Sequence, residues 1–364
     1  MNKLEEARKK INEIDKEMAS LFTKRMEAAK LISEYKMERG LPILDKNREN
    51  ELIAKNSAFV EDETLRSYYV NFLKDTMSIS RSYQQMLQQG LKVAYSGVEG
   101  AFANIAAKNI FPNANHIPFG DFTSAYEAVA AGECDCAVLP IENSYAGEVS
   151  QVIDLMFQGG LYINGIYDLE VTHNLLGIPG ATVNDIKTVI SHPQALEQCS
   201  KFIKKHEFEA VRANNTAIAA QKVAESGDKT LAAIASRDTA KLYGLCVLER
   251  RINESSMNTT RFAVFSRAES LPDYNEQGRQ FIMVFTVRDE AGALAKAINI
   301  IGDCGFNMRT LRSRPMKELM WKYYFYVEAD GNAYSEEGKR MMNELSRYCD
   351  HLRIIGSFPH EKKL

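Results

Sequence analysis

The architecture of this chain changes at residues 88–95, which read QQGLKVAY. Upstream, apolar residues recur with the spacing of a helix, whereas Leu91–Tyr95 has the composition of a short strand. Downstream, strand-like and helix-like segments alternate, which is typical of an α/β architecture with parallel strands. The chain has 364 residues. Because single cores usually stop growing at roughly 250–300 residues, we expect two or three domains.

Residues 4–38 are predicted to form one long helix. Apolar or small residues follow a heptad pattern, with a positions at 4, 11, 18, 25 and 32 and d positions at 7, 14, 21, 28 and 35. Such a helix would extend about 50 Å, which is too long for a compact domain of this size, so a partner chain is expected. Further helices are predicted at about 46–57 and 62–88. Residues 1–88 are therefore predicted to be an all-helical domain.

Residues 91–266 are predicted to form a two-lobed α/β domain, with a cleft between the lobes where ligands commonly bind. A first strand at 91–95 leads through Gly97 and Gly100 into a helix. Further strands are expected at 115–119, 136–141, 163–176, 187–190, 208–212, 231–235 and 260–265, and further helices at 122–132, 148–157, 193–205, 215–225 and 237–243.

The polar segment at residues 266–279 contains Pro272 and Gly278 and is predicted to be a linker. Residues 280–360 then follow the order strand–helix–strand–strand–helix–strand. The predicted strands are 281–287, 307–314, 321–327 and 352–358, and the predicted helices are 292–304 and 335–348. This order indicates a small α+β domain of the ferredoxin-like kind. The whole chain is therefore predicted to be a multidomain protein.

Composition excludes several classes of protein. The formal net charge is −3, which gives no electrostatic case for coating nucleic acid or a membrane surface. A small anionic substrate would therefore need a local cluster of cations. Six cysteines are scattered without metal-ligand spacing and indicate free thiols in a reducing, cytoplasmic compartment. Nucleotide-binding motifs are missing from the sequence, so we expect neither a cofactor nor a metal.

Arg25 occupies an a position in an otherwise apolar seam. A charge there is costly unless an anion pairs with it. Lys36 lies eleven residues later and, at about 100° per residue, returns to within roughly 20° of Arg25. Ser80 and Gln84 are i,i+4 neighbours on the third predicted helix. This pattern suits a site for a small anion. The alternative is a helical hairpin or coiled coil in which the charge sets the register.

Three motifs in the α/β part can carry chemistry. Pro140–Ser144 (PIENS) follows an apolar strand, and the carboxyl ends of strands bind ligands in open α/β folds. Ser191–Gln194 (SHPQ) opens a helix, where Ser191 is a good N-cap. Thr259–Phe262 (TTRF) opens another strand. Taken singly, each motif also fits a purely structural role as a turn, a helix cap or a strand start.

Residues 4–88 resemble the all-helical class of chorismate mutase, through the segments LEEARKKINEID, KRMEAAKLISEYK, LPILDKNRE and SRSYQQ. The resemblance implies that Arg8 reaches into a partner's site and that Arg25 holds a substrate carboxylate. It further implies that Lys36 and Gln84 bind the ether oxygen, and that Glu49 and the backbone near Asp45 bind the ring hydroxyl. Arg48 and Ser80 would complete the site.

Residues 91–265 resemble the prephenate dehydratases, because YSGVEGAFANIAA, LPIENS, VTHNLL, SHPQALEQCSKF, LYGLCVLE and NTTRF occur in that order. The resemblance implies that Thr260 is the central catalytic residue. The residues expected around the substrate are Asn143, Ser144, Ser191, Gln194, Arg261 and Phe262. His173 fits either a minor role or a place in the core. Val98 and Ala101 depart from the family, which usually has Pro and Ser or Thr there.

Residues 280–360 resemble an ACT domain, a small module that senses amino acids. The resemblance implies phenylalanine as an allosteric effector, bound at Gly292, Ala293, Leu294, Asn307, Arg312 and Ser313. Related sensors usually carry an acidic residue where this chain has Arg312, so the sign of the charge is reversed. The alternative is an assembly domain that binds nothing.

Together these resemblances imply a bifunctional enzyme of phenylalanine biosynthesis. It would convert chorismate to prephenate and prephenate to phenylpyruvate, as a homodimer or larger homo-oligomer under feedback control. Two other hypotheses remain. The helical part could serve only as a dimerisation arm of a dehydratase, or the whole chain could be a non-catalytic amino-acid sensor.

Overall fold

The computed structural model describes residues 2–255, 257–271, 278–316, 323–360 and 362–364. The chain divides after Lys92 into two compact units. Of the predicted linker at 266–279, residues 272–277 lie outside the described residues, as do 321 and 322 of the predicted strand at 321–327.

The first unit is helical, as predicted. It consists of α1 (Lys3–Glu38), α2 (Lys46–Ser57) and α3 (Glu63–Gln89). The N-caps are Asn2, Asp45 and Asp62, whose side chains accept hydrogen bonds from backbone amides of the first turn. Helices α1 and α3 run in the same direction where they touch, because the contacts of Arg25 with Ser80 and of Ser33 with Gln84 advance together along both helices.

The long helix α1 buries little of its surface within this unit. Of the residues of α1, only Ala29 and Ser33 are buried. The large apolar side chains that remain exposed along it are Leu4, Ile11, Ile14, Met18, Leu21, Phe22, Leu31, Ile32, Tyr35 and Met37. Among the described residues, none of the helices is long and apolar enough to cross a membrane.

The second unit begins with two sheets. The first contains β1 (Lys92–Ser96), β2 (Asn115–Phe119), β3 (Cys136–Asn143), β4 (Gly147–Glu148), β5 (Tyr162–Glu170), β11 (Thr259–Ser266) and β16 (Lys362–Lys363). The second contains β6 (Asn174–Gly177), β7 (Thr188–Ser191), β8 (Glu209–Arg212), β9 (Leu231–Ala235) and β10 (Cys246–Glu249). The helices are α4 (Phe102–Ile110), α5 (Phe122–Ala130), α6 (Ser150–Gln158), α7 (Pro193–Gln198), α8 (Ser200–Lys205), α9 (Thr216–Ser226) and α10 (Arg237–Tyr243), with a short 3₁₀ turn at Val183–Asp185.

Both sheets are mixed, so the prediction of parallel strands is only partly right. β1 and β3 are parallel, whereas β11 runs antiparallel between β3 and β5. In the second sheet β7 is parallel to β8 and β9, and β6 is antiparallel to β9 and β10. The single strand predicted at 163–176 is two strands, β5 and β6, in different sheets. The helix predicted at 193–205 is likewise two helices, α7 and α8, and β10 was not predicted.

The last part has the predicted order of elements: β12 (Arg279–Val287), α11 (Ala293–Asp303), β13 (Asn307–Pro315), β14 (Tyr323–Asp330), α12 (Glu336–Leu345) and β15 (Cys349–Pro359). Its strands pair antiparallel in the order β13-β14-β12-β15. One face of this sheet packs on α11 and α12, with Phe281 and Met283 in the core. The opposite face contributes Ile282 and Tyr324 to the core of the first sheet, so the two parts share one hydrophobic core.

Candidate active sites

A cavity of about 610 Å³ lies in the second unit, lined by strand residues of the first sheet and by loop and helix residues that adjoin the second, such as His192 and Thr216. Four residues predicted around the substrate line it: Asn143, Gln194, Thr260 and Phe262. Asn143 ends β3 and Thr260 lies opposite it on β11, where the two strands pair. The antiparallel pairing therefore brings together two motifs that lie more than a hundred residues apart in the chain.

Thr260 has a defined hydrogen-bond partner. The side-chain amide of Asn143 donates to Thr260 Oγ1 at 2.9 Å, and both side chains are nearly buried. The Asn143 carbonyl oxygen accepts from the backbone amides of Tyr145 (3.0 Å) and Ala146 (2.9 Å), which fixes the amide's orientation. Because Asn143 donates to the Thr260 oxygen, the hydroxyl proton of Thr260 remains available for a hydrogen bond to another acceptor.

A buried polar network continues behind this pair. Asn143 also donates to Asn258 Oδ1 at 2.9 Å, and Asn258 donates to Gln198 Oε1 at 2.9 Å. His173 Nε2 lies 2.8 Å from the same Gln198 oxygen. A carboxamide oxygen only accepts hydrogen bonds, so Nε2 carries the proton and Nδ1 is left with a lone pair. In the part of the chain that the structure describes, Nδ1 has no hydrogen-bond partner.

Gln198 and Asn258 were not predicted as site residues, although both lie in segments that carry the resemblance. The sequence contained one signal for Gln198, because it follows Gln194 at the i+4 spacing of a helix face. His173 also lines the cavity, and burial lowers the pKa of its imidazole, opposed by the hydrogen bond to Gln198. Burial therefore disfavours the charged form of this imidazole.

Three predicted substrate ligands lie outside the cavity lining. Ser191 is fully buried and its hydroxyl donates to Ile234 O at 2.6 Å. The Ser144 hydroxyl donates to Met257 O at 2.7 Å and accepts from the Thr259 amide at 3.0 Å. Both serines thus hold the backbone that carries the cavity.

The third is Arg261, which follows Thr260 on β11 and therefore projects from the opposite face of the strand. Its guanidinium binds both oxygens of Glu328, at 3.0 and 2.6 Å, and Glu142 at 3.3 Å. In this structure Arg261 connects the first sheet to the C-terminal sheet, which differs from the predicted contact with substrate.

The predicted cluster of cations is also not found at the cavity, since its lining contains no Lys or Arg among the described residues. Instead, the first turns of α4, α6 and α9 line it, through Phe102 and Ala103, Ser150 and Gln151, and Thr216. Helix N-termini present free amides and a positive partial charge, which favour anions. Glu148 is the acidic residue of the described lining.

Ala101 lines the cavity at the start of α4, as the N-cap residue. Its side chain makes no capping hydrogen bond. A Ser or Thr here would cap the helix and present a hydroxyl to the cavity. Val98, the other departure, is not part of the lining.

In the first unit, two of the predicted mutase residues, Arg25 of α1 and Ser80 of α3, are in direct contact. Arg25 donates to Ser80 Oγ and to Thr76 O (3.3 Å), and burial lowers the pKa of its guanidinium. Gln84, one turn beyond Ser80, is buried, and within the described residues its side-chain oxygen has no partner. Lys36 donates to Ile43 O at 2.6 Å in the turn after α1.

The other predicted mutase residues are more dispersed. Glu49 on α2 pairs with Arg81 of α3, a partner that was not predicted. Asp45 caps α2 through the Arg48 amide at 3.0 Å, and the exposed Arg48 side chain pairs with Glu51 at 3.4 Å. Arg8 is exposed on α1, seventeen residues before Arg25. At 1.5 Å per residue this is roughly 26 Å along the helix, so Arg8 cannot join the same cluster.

A second cavity, of about 1040 Å³, opens at the start of α11 in the C-terminal part. Of the predicted effector residues, Gly292 and Leu294 line it, and Ala293 is the first residue of α11. Asn307, Arg312 and Ser313 lie on β13 and are not in its lining. Asn307 donates to Asp330 at 3.1 Å, and Arg312 is engaged by Glu142 and Glu148. Within one chain the structure does not bring the predicted effector residues together.

Comparison with known proteins defines the class to which both sites belong. A family model described as prephenate dehydratase matches residues 93–270, and one described as chorismate mutase type II matches residues 7–85. The bifunctional chorismate mutase/prephenate dehydratase of Aquifex aeolicus is 30% identical over 366 residues, covering 99% of this chain and 98% of that protein. This chain belongs to the family of bifunctional chorismate mutase/prephenate dehydratases.

Solved structures resemble the second unit. The prephenate dehydratase of Arthrobacter aurescens, solved in complex with L-Phe, is 29% identical with a TM-score of 0.69, over 74% of this chain and 90% of that one. GqqA, described as a novel type of quorum-quenching acylase, is 33% identical with a TM-score of 0.69, over 74% of this chain and 97% of that one.

Proposed function

We propose that the chain catalyses two consecutive reactions of phenylalanine biosynthesis, the rearrangement of chorismate to prephenate and the conversion of prephenate to phenylpyruvate. Membership of the family supports both activities. The observation that carries the second is the buried Asn143–Thr260 hydrogen bond at the wall of a cavity large enough for a small molecule.

In the dehydration, the bond between the ring carbon and its carboxylate breaks and CO2 leaves. The electron pair enters the ring and expels the C4 hydroxyl, which takes a proton and leaves as water. Thr260 donates a hydrogen bond to the departing oxygen, where negative charge develops, because Asn143 already donates to the Thr260 oxygen. Phe262 and the other lining residues limit access of water, and the helix N-termini favour the carboxylates.

The rearrangement of chorismate needs no nucleophile, cofactor or proton shuttle. It needs the substrate held in a compact conformation and positive charge where the breaking C–O bond gathers negative charge. Arg25 supplies a partly buried cation for a carboxylate, and Lys36 and Gln84 supply donors for the ether oxygen. Gln84 can act in this way because its side chain is already ordered by burial. Glu49, Asp45, Arg48 and Ser80 are assigned to the ring hydroxyl and the rest of the shell.

A second copy of the chain is proposed to complete this site. The apolar side chains along α1 are exposed in the isolated unit, and burying them between two copies would be favourable at about 25 cal/mol per Å². Arg8 lies too far from Arg25 to serve its own chain and is assigned to the partner's site.

The division into domains at 1–88, 91–266 and 280–360, the ACT assignment of the last part and a cytoplasmic location also remain proposals. Phenylalanine is proposed as an inhibitor bound at the α11 cavity through Gly292, Ala293 and Leu294. L-Phe is the ligand named for the Arthrobacter aurescens enzyme. Residues Asn307 and Ser313 could take part only through a second copy or a rearrangement of β13.

A product assay on the purified chain supplied with chorismate alone tests the proposal. Phenylpyruvate is expected without any added cofactor. Thr260→Ala is expected to lower the dehydration rate about 10²–10³-fold while chorismate is still consumed, because a donor to the developing oxyanion is lost. Lys36→Ala is expected to abolish the first step only.

The matched controls are Thr188→Ala, on a strand of the second sheet, and Lys30→Ala, an exposed residue of α1. Undiminished dehydration by Thr260→Ala would remove Thr260 from the mechanism. Unreacted chorismate with turnover of added prephenate would leave the helical unit as a dimerisation arm. Failure with both substrates would favour the non-catalytic sensor.

A further inference from the structure

Two carboxylates face each other beside the dehydration site. Strand β4 pairs with β3 in a short hairpin, and in its register Glu142 lies directly opposite Glu148. Side chains that are opposite in an antiparallel pair lie about 4.5–5.5 Å apart at Cβ, and like charges there are destabilising. Both carboxylates are only about a quarter exposed, at 27% and 25%, so water alone does not screen them.

Arg312, from β13 of the C-terminal sheet, bridges the two acids. Its Nη2 pairs with Glu142 Oε1 and its Nη1 with Glu148 Oε2 at 3.3 Å. Desolvation lowers the pKa of Arg312, but the hydrogen bond and the charge of Glu142 outweigh it, and the net shift is upward. Arg261 holds the other oxygen of Glu142, and Arg314 pairs with Glu148 and Asp154.

The same hairpin carries Asn143. Asn143 pairs with Gly147 in the hairpin register and with Thr260 on β11, next to the pairing of Glu142 with Arg261. Alternate residues of a strand project to opposite faces, so Glu142 projects from the face of β3 opposite to that of Asn143. Glu148 of the same ionic group also lines the cavity. The pairing of β3 and β11 shifts register between Arg261 and Phe262, and such irregularities loosen a sheet locally. The hairpin therefore depends on its side-chain contacts.

We propose that Arg312 is a positioning residue of the dehydration site, which bridges Glu142 and Glu148 and so keeps the β3–β4 hairpin closed and Asn143 directed at Thr260. The inference concerns the proposed dehydration and rests on it for its effect on rate, whereas the closing of the hairpin can be measured without any reaction.

The test compares Arg312→Gln with the full-length wild-type chain. We expect kcat for prephenate to fall about tenfold with a smaller change in KM, since small misplacements of a reacting group are costly. The mutase rate of the same chain is the internal control. Hydrogen exchange at the amides of Tyr145 and Ala146, which donate to Asn143, is expected to accelerate in the variant.

Two further variants separate positioning from a general loss of structure. Adding Glu148→Gln to Arg312→Gln removes the facing charge, and we expect both amide protection and kcat to recover toward the values of Glu148→Gln alone. Arg312→Lys keeps the charge but loses the forked guanidinium that reaches two carboxylates. Its kcat and amide protection should lie between those of the wild type and Arg312→Gln. Arg309→Gln, which lies on the same strand and loses a pair with Asp330, is the matched control.

Wild-type amide protection and kcat in Arg312→Gln would overturn the proposal, as would a failure of Glu148→Gln to restore them. If the wild-type chain does not convert prephenate, the proposed function fails, and the exchange of Tyr145 and Ala146 still decides whether Arg312 closes the hairpin.

Discussion

Ala101 is the N-cap residue of α4, and its side chain cannot cap the helix. It also lines the cavity of about 610 Å³ that contains Thr260. We predict that Ala101→Ser raises the free energy of unfolding by about 1 kcal/mol, because a serine N-cap satisfies a free amide of the first turn. Ala107→Ser, in the buried interior of the same helix, should instead destabilise, since its hydroxyl has no such amide to bind. Urea unfolding of the two variants checks both signs. A destabilised Ala101→Ser variant would contradict the capping argument.

His173 gives the second unit a dependence on acid pH. Burial lowers the pKa of His173 below its ordinary value of 6.5, and burial likewise lowers that of His192. Between the folded pKa and 6.5 the unfolded chain binds the proton and the folded chain does not, so stability is lost as pH falls below about 6.5. We predict that His173→Gln weakens this loss, measured by the urea midpoint at pH 7.5 and pH 5.5. His206→Gln is the control, and an equal loss in both variants would contradict the prediction.

At the scale of elements, the close approach of β15 to β5 attaches the C-terminal sheet to the first sheet. A Cβ at Gly356 would collide with the backbone of Ile163, which cannot move aside easily. Gly356→Ala is therefore predicted to destabilise the second unit by roughly 1–3 kcal/mol, as overpacking does. Gly302→Ala on α11 is the matched control, because a Cβ there meets no atom within 4 Å. Thermal unfolding compares the two variants. Equal melting temperatures would show that β15 can move away from β5 without loss of stability, which would contradict the prediction.

Elements formed by interactions between residues close in sequence could be predicted, whereas elements formed by distant partners could not. The heptad pattern of α1 and the polar caps Asp45 and Asp62 act within a few residues, and the helical bounds agree to within about two residues. The place of β11 between β3 and β5 depends on partners about a hundred residues away, so the local pattern could not reveal its direction, and the prediction of parallel strands is wrong for β11. Motifs pointed to Thr260 and Asn143 because a motif reports residue types. They gave no signal for Asn258, because the hydrogen bond that joins it to Asn143 is tertiary.

At the scale of the whole molecule, the helical unit leaves a large apolar surface exposed in a single copy. Its apolar stripe extends along α1 from Leu4 to Tyr35 and remains exposed. Oligomers of identical chains usually close around a two-fold axis, so that each copy gives and receives the same contacts. A dimer built in this way would pair Arg8 of each copy with Arg25 and Lys36 of the other, giving two equal mutase sites.

This arrangement predicts complementation between two inactive variants. Arg8→Ala and Lys36→Ala should each lose mutase activity alone, because each dimer then carries the same defect in both sites. A mixed dimer has one site with both defects and one intact site, so the isolated mixed dimer should have about half of the wild-type rate. Subunits are exchanged by co-expression with different tags, and chorismate consumption is followed after isolating the doubly tagged species. Mixing Lys36→Ala with Arg25→Ala is the control. Arg25 and Lys36 of one chain belong to the same site, so each site of this mixed dimer carries one of the two defects and no activity should return. No recovery in the first mixture would show that Arg8 does not act across the dimer. Recovery in the control would show that Arg25 and Lys36 do not serve the same site of one chain.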